Sequence, residues 1–133
     1  MLRPFLTFIL LSCAQRVLAA QSASPCDSAS TTASIHQCWD KLARNADSTL
    51  QRYLSEARRV TTHKELVDST QRAWIHYRDL HCRAAGAEFE GGTLEPVTVV
   101  VCFYDLTSAR THDVWAAYLS NGESSLAEPG KSN

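Results

Sequence analysis

Gln71-Arg-Ala-Trp74-Ile-His-Tyr77-Arg78-Asp79-Leu-His-Cys82 is the stretch whose reading decides the fold. Gln71, Trp74, Arg78 and Cys82 recur at intervals of three and four, so a helix lines them along one side. Trp74 and Arg78 become neighbours on that side, where a planar guanidinium can stack on an indole and still pair with a carboxylate. The pattern carries no nucleophile and no general base. It describes a packing and bridging device that ends in a cysteine.

The same periodicity extends in both directions. Upstream, Ile35, Cys38, Trp39, Leu42, Ala46, Thr49, Leu50, Tyr53, Leu54 and Ala57 form one apolar stripe, with charged and amide side chains opposite. Ser34 is the expected N-cap. Thr61-Thr62-His63 interrupts the pattern, and Thr62 with Glu65 three later predicts a capping box for helix two. Helix two repeats the apolar pattern through Leu66, Thr70, Trp74, Tyr77, His81 and Ala84 or Ala85, and fades at Gly86. The segment Glu88 to Pro96 reads as a loop, with Gly91 and Gly92 permitting positive φ. Val97-Thr-Val-Val-Val101 is β-branched, but no second strand exists to pair with it, so it opens a third helix from Val97 to Leu119. The expected architecture is all-α: a small antiparallel three-helix bundle over residues 21–121, with residues 122–133 a disordered tail.

Residues 1–20 read as an export signal: Arg3, a short apolar run from Phe5 to Leu11, then small residues at Ala19 and Ala20. The run is too short to span a bilayer, which needs ~20 residues. Leu10-Leu11-Ser12-Cys13 offers the alternative of a lipid anchor at Cys13, and cleavage near Ala19 is favoured over it. Either way Cys26, Cys38, Cys82 and Cys102 remain, an even set suited to two disulfides in an oxidising compartment. Three pairings are open. Were residues 26–38 helical throughout, those two cysteines would stand ~18 Å apart, which favours bridges from each to Cys82 or Cys102.

Removing Arg3 and Arg16 with the leader leaves 11 basic residues against 14 acidic ones, a net charge of −3. No basic stripe points to nucleic acid. The five histidines are scattered and no C-x-x-C pair occurs, so neither a metal nor another cofactor is expected. No serine stands in a G-x-S-x-G setting, so no catalytic residue is assigned and the protein is expected not to be an enzyme.

Gln71-x-x-Trp74-x-x-Tyr77-Arg78-Asp79-x-x-Cys82, with Ala46-Asp47-x-x-Leu50-x-x-Tyr53, Gly91-Gly92 and Cys102 followed by Leu106-Thr107-x-x-Arg110, resembles the lysozyme inhibitor LprI-like family. Gln51 stands where that family usually has asparagine. The resemblance spans Cys26 to Tyr118 and implies a small, exported, helical, disulfide-bonded bacterial domain of the periplasm or cell envelope. Its name implies non-covalent inhibition of a muramidase. The alternative is a non-inhibitory envelope module with another protein partner.

The motif residues have a structural reading of their own. Trp74 is expected to anchor the core and Arg78 to brace another helix. Asp79, adjacent to Arg78 and so on a different face, is expected to reach Arg110. Thr107 is expected to bond to its own helix or to Gln71. The exposed loop supplies the candidate partner-binding residues: Glu88, Phe89, Glu90, Leu94 and Glu95. Its glutamates suit the rim of a cationic partner, since a muramidase cleft carries carboxylates of its own.

Overall fold

The computed structural model describes residues 24–130 of the chain, so the export segment and Cys13 lie outside the described residues. Three helices follow in order: α1 (Thr32–Val60), α2 (Lys64–Ala87) and α3 (Glu95–Tyr118). No strand occurs among the described residues.

Helix α1 starts earlier than the sequence predicts. Thr31 is the N-cap: its side chain accepts from the Ser34 N–H, and the Ser34 hydroxyl accepts from the Thr31 N–H. Ser34 thus serves as the reciprocal partner in the box instead of the cap itself. The box expected from Thr62 and Glu65 is absent. Helix α2 begins one residue later, its cap is His63, and no side chain caps it.

The direction of the helices is set by side-chain pairs that cross between them. Trp39 packs on Tyr104 with ring centroids 5.3 Å apart, and farther along Leu50 and Leu54 share a core with Val114 and Leu119, so α1 and α3 run parallel. Helix α2 runs against both, since Cys82 bridges to Cys102 while Gln71 meets Arg110. Helices α1 and α2 are antiparallel across a short turn, as expected, but each packs mainly on α3. That central position explains the valine run. Val100 is buried while Val97, Val99 and Val101 are half-buried, because α3 needs apolar atoms on two sides.

The two poles are held by different means. At the turn between α1 and α2, Leu50, Tyr53, Leu54, Ala57, Val67, Val114 and Leu119 form the hydrophobic core. At the other pole sit both disulfides, Cys26–Cys38 and Cys82–Cys102. The first overturns the expectation that Cys26 and Cys38 would each reach another helix. Residues 25–28 form a turn, with the Ala29 N–H on the Cys26 carbonyl, and helix begins only at Thr32. The chain therefore doubles back, and the two Cα atoms stand 5.9 Å apart. Each short cross-link stabilises by on the order of 3 kcal/mol through the unfolded chain.

The described part of the tail is folded, a second correction. After the turn at Gly122 (φ +87°) the chain runs back along the bundle. Leu126 packs on the core, the Tyr53 hydroxyl donates to the Ala127 carbonyl at 2.7 Å, and the Trp115 indole N–H donates to the Leu126 carbonyl at 3.3 Å. Polar composition hides this strap because backbone carbonyls, which every residue owns, make most of its bonds.

Candidate functional site

The motif residues converge on the side of α2 that faces the bundle. Arg78, with 14% of its side chain exposed, touches all three helices. Its Nη1 donates to Asp47 Oδ1 on α1 at 2.8 Å and to Thr107 Oγ1 on α3 at 3.2 Å, while Nε and Nη2 reach Asp79 Oδ1 at 3.2 Å. Its guanidinium carbon lies 5.1 Å from the Trp74 ring centroid and 4.9 Å from that of Phe103. A fork with five donors and two flat faces can do all of this at once, which an ammonium cannot.

Two expected pairings are replaced. Asp79 pairs with its neighbour Arg78 because the long arginine side chain folds back along the helix to meet it. Arg110 instead donates to the Gln71 carbonyl oxygen at 3.2 Å and lies 5.9 Å from the Trp74 ring. Gln71 is buried, and its Nε2 has no partner among the described residues. Thr107 receives Arg78, and its own carbonyl accepts from Thr111. Trp74 packs half-buried against the core. Tyr77 differs from the other motif residues: half of it is in solvent, beside the His81 ring. Asp47 and Phe103 are the residues whose contact with Arg78 the sequence does not disclose. An acidic residue on the polar side of α1 was the available sign for the first.

Beyond Cys82 the chain reaches the loop. Its ends are held closely: a Cβ on Gly86 would stand 2.5 Å from Val99 Cγ2, so α2 and α3 approach there at glycine distance. Gly91 takes φ +73°, and its N–H donates to Glu95 Oε2 at 2.9 Å. Glu95 is thus engaged within the loop as well as standing in the first turn of α3, where a carboxylate suits the helix dipole. Glu88 and Glu90 stay outward. Phe89 and Leu94, 43% and 50% exposed, flank a shallow depression of about 360 Å³ lined also by Gly92 and Thr93. The loop therefore joins two exposed apolar side chains to two outward carboxylates on an anchored backbone.

Among the described residues, no group of three or more His, Cys, Asp and Glu side chains is placed to hold a metal ion. No helix among them is long and apolar enough to cross a membrane.

Comparison with known proteins accords with this arrangement. A family model described as lysozyme inhibitor LprI matches residues 22–114, which include both disulfides, the Arg78 cluster and the loop. An uncharacterized protein of Rhizobium meliloti (strain 1021) is 35% identical, over 80% of this chain and 87% of its own length. No solved structure matches the chain.

Proposed function

The chain belongs to the lysozyme inhibitor LprI family, and from that membership we propose that it works outside the cytoplasm by binding a muramidase without covalent chemistry. The observation that carries this reading is the loop from Glu88 to Glu95. Its ends are fixed by the Cys82–Cys102 bridge and by the close contact of Gly86 with Val99. A loop whose conformation is set in advance loses little entropy on binding, so more of its contact energy appears as affinity.

The division of labour follows from the side chains. Phe89 and Leu94 are the apolar anchors that leave water when a partner seats on them. Glu88 and Glu90 attract a cationic rim, raising the association rate and making it salt-dependent. A muramidase cleft is itself acidic, so the carboxylates serve at its edge while an apolar side chain enters. The outcome is occlusion of the substrate groove.

A lysis assay tests the proposal, using the protein without its leader and a c-type lysozyme on bacterial cell walls. Inhibition at or below tens of micromolar protein is expected. Undiminished lysis at that concentration contradicts the inhibitory reading.

A further inference from the structure

Among the described residues, all six large hydrophobic residues that stand exposed lie on α2 or on the loop that follows it. Three of them, Leu66, Tyr77 and Leu80, belong to a single line. Leu66, Thr70, Ala73, Tyr77, Leu80 and Ala84 succeed one another at intervals of 4, 3, 4, 3 and 4, the spacing of a coiled-coil seam, and every one is exposed. The stripe contains no charged residue. It stands about 120° around the helix from the buried side that carries Val67, Gln71, Arg78 and Cys82, at 100° per residue, so the bundle itself cannot cover it.

We propose that this face pairs with the same face of a second copy, α2 against α2 in antiparallel sense about a two-fold axis at residue 75. Only an interface that maps onto itself can close as an isologous dimer, and this stripe does so in register. Leu66 falls opposite Ala84 of the second copy, Thr70 opposite Leu80, and Ala73 opposite Tyr77. Each layer sets a larger side chain on a smaller one, the condition for interdigitated packing. Charges are confined to the flank and are complementary there. Arg83 stands level with residue 67 of the second copy, between Ser69 and Glu65 on the same flank, and the two-fold axis repeats that pairing at the other end. The two His76 side chains flank the axis, each one residue from its level.

The area sets the strength. Helix α2 is roughly 36 Å long by its rise per residue. Two such stripes about 10 Å wide remove on the order of 1,000 Å² of surface in total, the lower bound for a specific interface. The dimer is therefore weak and concentration-dependent, with a dissociation constant in the micromolar range. Antiparallel pairing also carries the two Glu88–Glu95 loops to opposite ends, roughly 36 Å apart. The pair presents both loops outward, and neither is buried by dimerisation.

Sedimentation equilibrium on the chain without its leader tests the association. A monomer–dimer equilibrium is expected, weakened roughly 10- to 100-fold by Leu80→Glu, with an unchanged circular-dichroism spectrum showing that the variant is folded. The register is tested by single cysteines under mild oxidation. His76→Cys should cross-link readily, whereas Ile75→Cys, exposed on the opposite side of α2, should not. A protein that stays monomeric at hundreds of micromolar, a dimer indifferent to Leu80→Glu, or equal cross-linking of the two cysteine variants each overturns the proposal.

Discussion

Arg78 of α2 donates a 2.8 Å hydrogen bond to Asp47 of α1 while the same guanidinium reaches Thr107 of α3. One side chain thus ties together three helices near their midpoints, next to Trp74, which packs on the hydrophobic core. The pairing is asymmetric in exposure, with 14% of the Arg78 side chain exposed against 52% of Asp47. The arginine is the more buried member, so its removal leaves more unfilled contact than removal of the aspartate.

Arg78→Ala removes the bridge, the contacts with Trp74 and Phe103, and the packing of the long stem. A loss of about 2–4 kcal/mol in urea unfolding is expected. Arg78→Lys should recover only part of it, because the ammonium keeps the charge without the fork. Asp47→Ala, at a largely solvated partner, should cost about 1 kcal/mol or less.

Gly86→Ala places a methyl group against Val99, where an added Cβ would lie 2.5 Å from Cγ2. The helices must separate or Val99 must rotate, at about 1–3 kcal/mol. Combining it with Val99→Ala should restore most of the loss, measured as a double-mutant cycle. Additive losses would show that the approach of α2 to α3 is not the constraint.

Glu56 gives the protein an acid limb. Hydrogen bonds from Arg59, then one from Ser124 in the tail, hold its carboxyl at about 2, below the ordinary 4.5. Arg59 also donates to the Glu123 carbonyl, so this group clamps the strap. A depressed carboxylate contributes stability above its unfolded value and loses it as pH falls through the folded one. The contribution should be constant above about pH 5 and decline between 4.5 and about 2. In Glu56→Gln that part of the pH slope, followed by denaturant midpoints, should disappear.

The strap itself is expected to add stability. Tyr53→Phe deletes only the bond to the Ala127 carbonyl and should cost about 1 kcal/mol. Ending the chain at Gly122 uncovers the side of the core that Leu126 occupies. It should cost more, and it should alter the fluorescence of Trp115, whose indole N–H bonds to the Leu126 carbonyl. A truncated chain as stable as the full one would show that the strap is dispensable.

Much of the fold was legible because a helix repeats its apolar residues along one side, and Leu42, Leu50 and Leu54 of α1 keep that repeat. On α2 the line of Gln71, Trp74, Arg78 and Cys82 faces the bundle, whereas the apolar repeat through Leu66, Thr70, Tyr77 and His81 lies in solvent and Val67 is buried instead. The valine run at 97–101 required a second argument, the lack of a partner strand, and it is helical as that argument required. Spacing was less informative wherever the chain left the helix. Cys26 and Cys38 pair locally because a turn at residues 25–28 brings them together, and a turn has no periodicity to read. Asp79 was assigned to Arg110 on helical geometry alone, which places Cβ atoms well and the ends of arginine side chains poorly. The packed tail was missed for a related reason: one leucine and several carbonyls carry it. For the loop, the sequence marked Glu88, Phe89, Glu90, Leu94 and Glu95 by exposure and charge, but not that Glu95 turns back to hold the Gly91 N–H.

The central claim is that a disulfide-anchored loop binds a muramidase through Phe89 and Leu94. Titration calorimetry of a c-type lysozyme with the leaderless protein and its Phe89→Ala/Leu94→Ala variant tests it most directly. Micromolar or tighter binding, weakened roughly tenfold or more in the variant, is the result expected. Absence of binding by the parent protein, or equal affinity for the variant, would contradict it.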